Sequence, residues 1–445
     1  KMPSSSDIRN TFIKYFTNKG HTYVPSSSII PENDDSILFV NSGMCQFKDI
    51  FLEKKEPEFE TVCNYQKCLR LSGKHNDLEV IGVDTYHHTF FEMLGTWSFG
   101  KYYKEQTIAY AWDLLVNIYK IDKDRLYVTY FNGDIDLNLL PDIETKLIWE
   151  KYLPKSRVLP FNMKDNFWEM SDTGPCGPCT EIHYSYLEGD QGYKVNRDDP
   201  NVIEIWNMVF MEYNRINGNT FVPLSTKFVD TGMGFERLVA ILQDKTSNYD
   251  TDIFSPIMEK ICEYSNKLED KRIESYYLTQ DEELKKVYRI IADHIRCLII
   301  ALDDGILFGN TSREYVIRKI YRRMSYYTSH VLGVKDMDIS LMLYMIIQEP
   351  HPEIIKYLKH QNDYFTDILN EESNKFDIVL KKGIKLIDKI IKKNNNFTGE
   401  DMGKLYETYG FPPILTKEIC NSKGIIINTK DFESYMQKHK KKSTK

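Results

Sequence analysis

Apolar positions in the first stretch of the chain fall at helical spacing. In SSSDIRNTFIKYFTNKG (4–20), Ile8, Phe12, Tyr15 and Phe16 recur at intervals of three and four, so they share one face of a helix. The serines ahead of it supply a cap, and Gly20 closes it. The period then shortens to two. The runs SILFV (36–40), RLYVTYF (125–131), TEIHYSY (180–186), EIWNMVFMEYN (204–214) and FVPLSTKFVD (221–230) are rich in β-branched and aromatic residues and read as strands. From Glu204 to Phe210 the polar Glu204 and Asn207 interrupt the apolar residues, which suits half-buried antiparallel strands better than the unbroken apolar runs of a parallel sheet. Beyond about residue 246 the helical period returns in DEELKKVYRIIADHIRCLIIALDDG (281–305), SREYVIRKIYRRMSYYTSH (312–330) and the long amphipathic stretch 363–394, which runs into Asn394–Asn396. The expected fold class is therefore α+β. An antiparallel sheet flanked by helices occupies 1–245, and a mainly helical domain occupies 246–445.

At the junction of the two patterns stands VDTGMGFERL (229–238). Gly232 and Gly234 let the backbone approach something closely. Phe235, Leu238, Val239, Ile241 and Leu242 then begin a helix. On these residues alone, a roomy helix N-terminus and a ligand site are both open readings.

Composition narrows the choice. With 445 residues, 42% of them hydrophobic, the chain has material for two or three packed domains. No run of about 18 apolar residues marks a membrane span, and the first thirty residues lack the order of a signal peptide. Eight cysteines in so long a chain are not a disulfide framework and point to a reducing compartment. A net charge of −7 argues against indiscriminate polyanion binding while leaving room for a local basic patch. The tail from Lys438 to Lys445 is basic and polar, with no core of its own.

Two familiar phosphate motifs fail. Gly232-Met233-Gly234 begins a GxGxxG pattern, but Arg237 stands at the third glycine and no βαβ unit surrounds it. GTWSFGKY (95–102) misses a P-loop because Tyr102 replaces the Ser/Thr and Trp97 and Phe99 fill the space. Cys176-Gly177-Pro178-Cys179 has spacing open to zinc or redox chemistry, yet no second CxxC accompanies it. His87 and His88 are adjacent and point to opposite faces of an extended chain, which makes them poor joint ligands. Phe90, Phe91, Trp168 and Trp206 read equally as core aromatics. Together, however, arginines, acids and aromatics in an antiparallel setting suit the holding of ATP for attack at its α-phosphate. Arginines neutralise phosphate oxygens, carboxylates recruit magnesium, and an aromatic ring stacks on adenine.

The segments GKHNDLE, HHTFFEMLG, SDTGPCGPCTEI, EIWNMVFMEYN, VDTGMGFERL and LYETYGFP, with SSSIIPENDDSILFVNSGMCQFKDIF before them, resemble the alanyl-tRNA synthetase family of class II synthetases nearly end to end. The resemblance implies alanine–tRNA ligation with ATP and Mg2+, with L-alanine and tRNA(Ala) as partners. In it VDTGMGFERL matches motif 3, with Arg237 holding bent ATP and Asp230 taking the alanine ammonium. Arg70 matches the motif 2 arginine that grips the α-phosphate and the amino-acid carboxylate, and His75 follows it in the ATP-binding loop. Trp168, Asn207, Val209 and Gly232 would line the alanine pocket, Glu204 would ligate magnesium, and Phe90, or Phe91 beside it, would stack on adenine. The CGPC segment belongs to the family pattern without a metal, and zinc is expected only in an editing domain beyond this region. The helical part would bind the acceptor stem through Arg313, Arg318 and Arg322. Asn310 matches the asparagine that reads a G·U wobble pair, and Glu407 stands where the family's aspartate pairs with it. A monomeric, cytoplasmic protein, with an organellar form as an alternative, completes the expectation. Two rival readings are a non-catalytic RNA-binding paralogue and a class II ligase for glycine or serine.

Overall fold

The computed structural model describes residues 2–443 except 73–74, 268–271, 350 and 352. The chain divides into two compact units, the first formed by Lys1–Cys262, Glu274–Asp304 and Glu349–Lys356, the second by Glu263–Ile273, Gly305–Gln348 and Tyr357–Lys445. This division is more interleaved than a single cut at residue 245.

The first unit is built on a nine-stranded sheet. Its strands are β1 (Thr22–Tyr23), β2 (Thr61–Leu69), β5 (Phe90–Phe99), β6 (Leu126–Phe131), β7 (Val158–Phe161), β8 (Phe167–Glu169), β9 (Gly174–Ser185), β10 (Val202–Asn217) and β11 (Thr220–Gly234), and β3 (Leu71–Ser72) pairs separately with β4 (His75–Asn76). The order is β1-β2-β5-β11-β10-β9-β6-β7, with β8 paired to β9. The central strands are antiparallel, and only the edge pairs β1–β2 and β6–β7 are parallel. The expected strand SILFV is instead irregular. Its Phe39 and Val40 are buried, and the Val40 carbonyl accepts from Leu69 N, so the run serves the core without joining the sheet.

Helices α1 (Ser5–Asn18), α2 (Lys104–Trp112), α3 (Ile143–Trp149), α4 (Phe235–Leu242), most of α5 (Ser255–Ser265) and α6 (Glu282–Asp303) belong to the first unit. Helix α1 starts on a capping box of Ser4 and Asp7 and buries Ile8, Phe12, Tyr15 and Phe16. Phe12 and Phe16 meet Trp206 on one face of the sheet. On that face Arg9 makes a bidentate pair with buried Glu92 (2.8 and 2.6 Å), and Glu236 takes both the Glu92 amide and Arg296 of α6 (3.0 Å each). Buried and fully paired charges of this kind fix how α1, α4 and α6 lie on β5.

The second unit consists of the rest of α5, α7 (Ser312–Ser325), α8 (Met337–Gln348), α9 (Asn362–Asn394), α10 (Gly399–Tyr409), α11 (Pro413–Ser422) and α12 (Thr429–Ser443). Helix α9 ends where Asn395 turns left-handed at φ 51°. As far as Ser443 the basic tail is helical although it lacks a core of its own, because α12 packs on α10.

Candidate functional site

The second face of the sheet is set by the alternation of β5, β10 and β11. Asp230 pairs with Trp97 and Val209, Gly232 with Gly95 and Asn207, and Gly234 with Met93. These residues therefore share one face, opposite the face that carries Trp206 and Glu92. Strict alternation would send Glu204 to the wrong side. A bulge between Glu204 and Trp206 in the β9 pairing inserts Ile205 and turns Glu204 back beside His183, on the face of Asn207 and Val209.

Trp97 lies flat across Gly95, where a Cβ would come within 2.2 Å of its ring, and its Nε1–H donates to Asp230 Oδ1 at 2.7 Å. Asp230 Oδ2 has no partner among the described residues. Asp230 is half-buried, reached by solvent yet walled by protein, and burial pushes its pKa up to about 7 against the Trp97 hydrogen bond. Beside it, Val209, Cys179, Met44, Phe47 and Trp97 form an apolar cluster on which Trp168 packs. A carboxylate oxygen next to a small apolar wall suits an ammonium group carrying a short side chain.

Two arginines border the same face. Arg237 follows Glu236 on α4, so while Glu236 turns inward Arg237 turns to the cleft. Its Nε donates to the Tyr86 carbonyl (3.2 Å), its Nη1 to the Glu204 carbonyl (2.8 Å), and its guanidinium lies 5.2 Å from the Tyr86 ring. Burial lowers its pKa, Glu204 opposes that shift and Arg70 adds to it, which places the second cation nearby. Arg70 leaves β2, donates Nε to the Asn41 carbonyl (3.2 Å) and rests 5.0 Å over the Phe91 ring. Neither Arg70 Nη atom, nor Arg237 Nη2, has a partner among the described residues. Two cations whose ends are open make an anion site.

Glu204 faces Glu181, and burial raises both carboxyl pKa values, with mutual repulsion adding to the rise at Glu204. His183 sits against Glu181 (3.2 Å), held neutral by burial, which lowers its pKa to about 4. Among the described residues no three His, Cys, Asp or Glu side chains group as metal ligands. Glu204 and Glu181 together would suit a magnesium ion, whose charge would favour their ionised forms.

The structure separates other expected residues. Phe90 turns away from the cleft, buried with Arg296 at 4.8 Å over its ring; Phe91, one residue on, shares the face with Arg70. The His75 side chain lies outside the described residues. His87 goes to Asp84 and His88 to buried Asp293, two different partners. Cys176 and Cys179 fall into separate apolar clusters, and burial pushes the Cys176 thiol up to about 12 and Cys179 well above its ordinary value.

In the second unit a cavity of about 450 Å³ is lined by Asn310, Arg318, Tyr406 and Glu407 among others. Arg318 Nη1 donates to Asn310 Oδ1 at 2.6 Å, which leaves the Asn310 amide nitrogen as a donor. The expected phosphate contacts fare differently. Arg322 is buried and donates to Glu372 (3.0 Å), Arg318 Nη2 donates to the same carboxylate (3.1 Å), and Arg313 is half-exposed on α7. Sequence reasoning missed Trp97, Tyr86 and Glu181. Glu181 alone carried a signal, its place in the alternating run TEIHYSY.

Residues 7–445 match the family described as tRNA synthetases class II (A). An alanine–tRNA ligase of Schizosaccharomyces pombe is 45% identical over 98% of this chain and 46% of its own length. A cytoplasmic one from Bombyx mori is 43% identical over 97% and 45%, and a mitochondrial one from Saccharomyces cerevisiae 43% over 98% and 45%. The chain thus spans a little under half the length of these relatives.

Proposed function

This chain belongs to the class II (A) family of tRNA synthetases, and we propose that it carries the alanine-activating and tRNA-charging activity of an alanine–tRNA ligase. The observation that carries this reading is the single face on which Asp230, the Val209–Trp168 wall and the open ends of Arg70 and Arg237 meet.

The alanine ammonium binds the free Asp230 Oδ2, its methyl group packs on Val209 and Trp168 beside Asn207 and Gly232, and its carboxylate turns toward Arg70. Arg237 holds the bent triphosphate. The purine lies against the aromatic rings of the cleft, with Phe91 taking the part expected of Phe90. Glu204, with Glu181 beside it, would hold magnesium, which supplies charge neutralisation to the polyphosphate. The alanine carboxylate attacks the α-phosphorus in line, the bond to the β-phosphate oxygen breaks, and pyrophosphate leaves from alanyl-adenylate. Arg70 and Arg237 stabilise the charge that builds on the phosphate oxygens, and no protein nucleophile is needed. A terminal ribose hydroxyl of tRNA then takes the alanyl group and releases AMP.

In the second unit, Asn310 as donor and Glu407 as acceptor are suited to the minor-groove edge of a G·U pair in the acceptor stem. Among the described residues no helix is long and apolar enough to cross a membrane. The relatives carry both cytoplasmic and mitochondrial names, and we assign this chain to the cytosol.

ATP–pyrophosphate exchange with alanine, glycine and serine tests the proposal. Exchange is expected with alanine first and with the other two more weakly, since one methylene discriminates by only ~1–3 kcal/mol. Bound ATP without exchange would favour a non-catalytic RNA-binding paralogue. A preference for glycine or serine would reassign the substrate.

A further inference from the structure

Glu407 does not stand alone at the mouth of the second unit's cavity. Helix α10 carries Gly399, Gly403 and Glu407 at four-residue intervals, hence along one edge. A Cβ on Gly399 would lie 2.4 Å from the Asn428 carbonyl oxygen, and one on Gly403 would lie 2.2 Å from the Tyr435 ring. Bare glycine is what lets α12 come so near. Helix α12 faces this edge with Tyr435 and His439, also four apart, and the two edges run in step. The seam that begins on glycine therefore ends on the glutamate. Tyr435 OH donates to Glu407 Oε2 at 3.0 Å, His439 Nδ1 lies 3.3 Å from the same oxygen, and the two rings sit 4.3 Å apart.

A glutamate in place of an aspartate is one methylene longer and loses more rotamer freedom when fixed. Two partners on Oε2 meet that cost before any ligand arrives, and Oε1 keeps no partner among the described residues. We infer that Tyr435 and His439 are positioning residues that aim Glu407 Oε1 into the Asn310 cavity and so sharpen recognition of the acceptor stem. The inference rests on the stem-reading role proposed for this unit.

The test is steady-state charging of two tRNAs, one with the G·U pair and one with G·C in its place, by the chain carrying Tyr435→Phe, Glu407→Gln, both, or His439→Gln. Tyr435→Phe should raise KM for the wobble tRNA roughly fivefold, as for loss of one ordinary solvent-exposed hydrogen bond, with a smaller change in kcat, and narrow the preference over G·C by a like factor. The double variant should be no worse than Glu407→Gln alone, because Tyr435 acts through Glu407. His439→Gln, which keeps a donor, should retain most of the preference. Unchanged discrimination in Tyr435→Phe at an unchanged melting temperature overturns the inference, as do single effects that multiply in the double variant. Asn310→Ala separates the two levels. If it too leaves charging intact, the stem-reading role falls; if it damages charging while Tyr435→Phe does not, only the positioning role falls.

Discussion

The arginines at the cleft of the first unit and those on α7 of the second meet opposite fates. In the first unit Arg70 and Arg237 each donate Nε to a backbone carbonyl and lie over an aromatic ring. In the second, Arg322 and Arg323 each donate Nε to a glutamate, Glu372 and Glu418. A carbonyl or a ring face holds a guanidinium in place and leaves its net charge intact, whereas a carboxylate cancels it. Counting basic residues along a helix therefore says little about what the helix offers an anion. The partner's charge decides it.

The comparison breaks most visibly at Glu372. Its carboxylate is 2% exposed and serves both Arg318 and Arg322. Glu372→Ala leaves the buried Arg322 unpaired and should cost the second unit about 3 kcal/mol of stability, read as a lower denaturant midpoint. Arg322→Met, by contrast, should leave tRNA affinity and its salt dependence nearly unchanged. A shallower salt slope in that variant would show that Arg322 contacts phosphate after all.

In the first unit the corresponding change is Arg237→Ala. Loss of a preorganised cation at a site of charge build-up should lower ATP–pyrophosphate exchange by about 10²–10³-fold with little change in melting temperature. Exchange at the parent rate would remove Arg237 from the reaction.

Asp230 sharpens the contrast through pH. Burial raises its pKa to about 7, and only the ionised form attracts an ammonium group. KM for alanine should rise about tenfold for each pH unit below 7 and level off above it. The sign for stability follows from the same shift. The folded carboxyl holds its proton where the unfolded one has lost it, so the empty site destabilises the fold increasingly as pH climbs from 3.8 toward about 7. Asp230→Asn should abolish the pH dependence of alanine KM, and its survival in that variant would assign it elsewhere.

Much of this was legible in the sequence, and the exceptions have physical causes. The strands from RLYVTYF to FVPLSTKFVD, the face of α1 and the passage of VDTGMGFERL from strand to helix follow from period alone. Period does not reveal a bulge, so nothing in EIWNMVF shows that Ile205 turns Glu204 toward the cleft. Nor does it reveal partners 50 and 95 residues away, such as those that neutralise Arg322 and Arg323. Helix α6 is buried almost around its whole circumference, and its helical pattern could not say that it belongs to the unit built on the sheet. Helix α12 has few apolar residues, and its order comes from glycines on α10.

The smallest expected effect tests the finest of these distinctions, the choice between Phe90 and Phe91. Alternation makes adjacent residues face opposite ways but does not say which faces the ligand. That is fixed by the pairing of β5 with β2 and β11. Phe91→Leu removes the ring beneath Arg70, a cation–π contact worth about 1 kcal/mol, and should raise KM for ATP roughly fivefold while leaving the melting temperature nearly unchanged. Phe90→Leu removes the ring beneath Arg296, on the face of β5 opposite Phe91, and should lower the melting temperature while leaving KM for ATP near the parent value. The reverse pattern would mean that the sheet presents its other face to ATP, and the contrast between open and cancelled arginines would then have to be drawn again from Arg296.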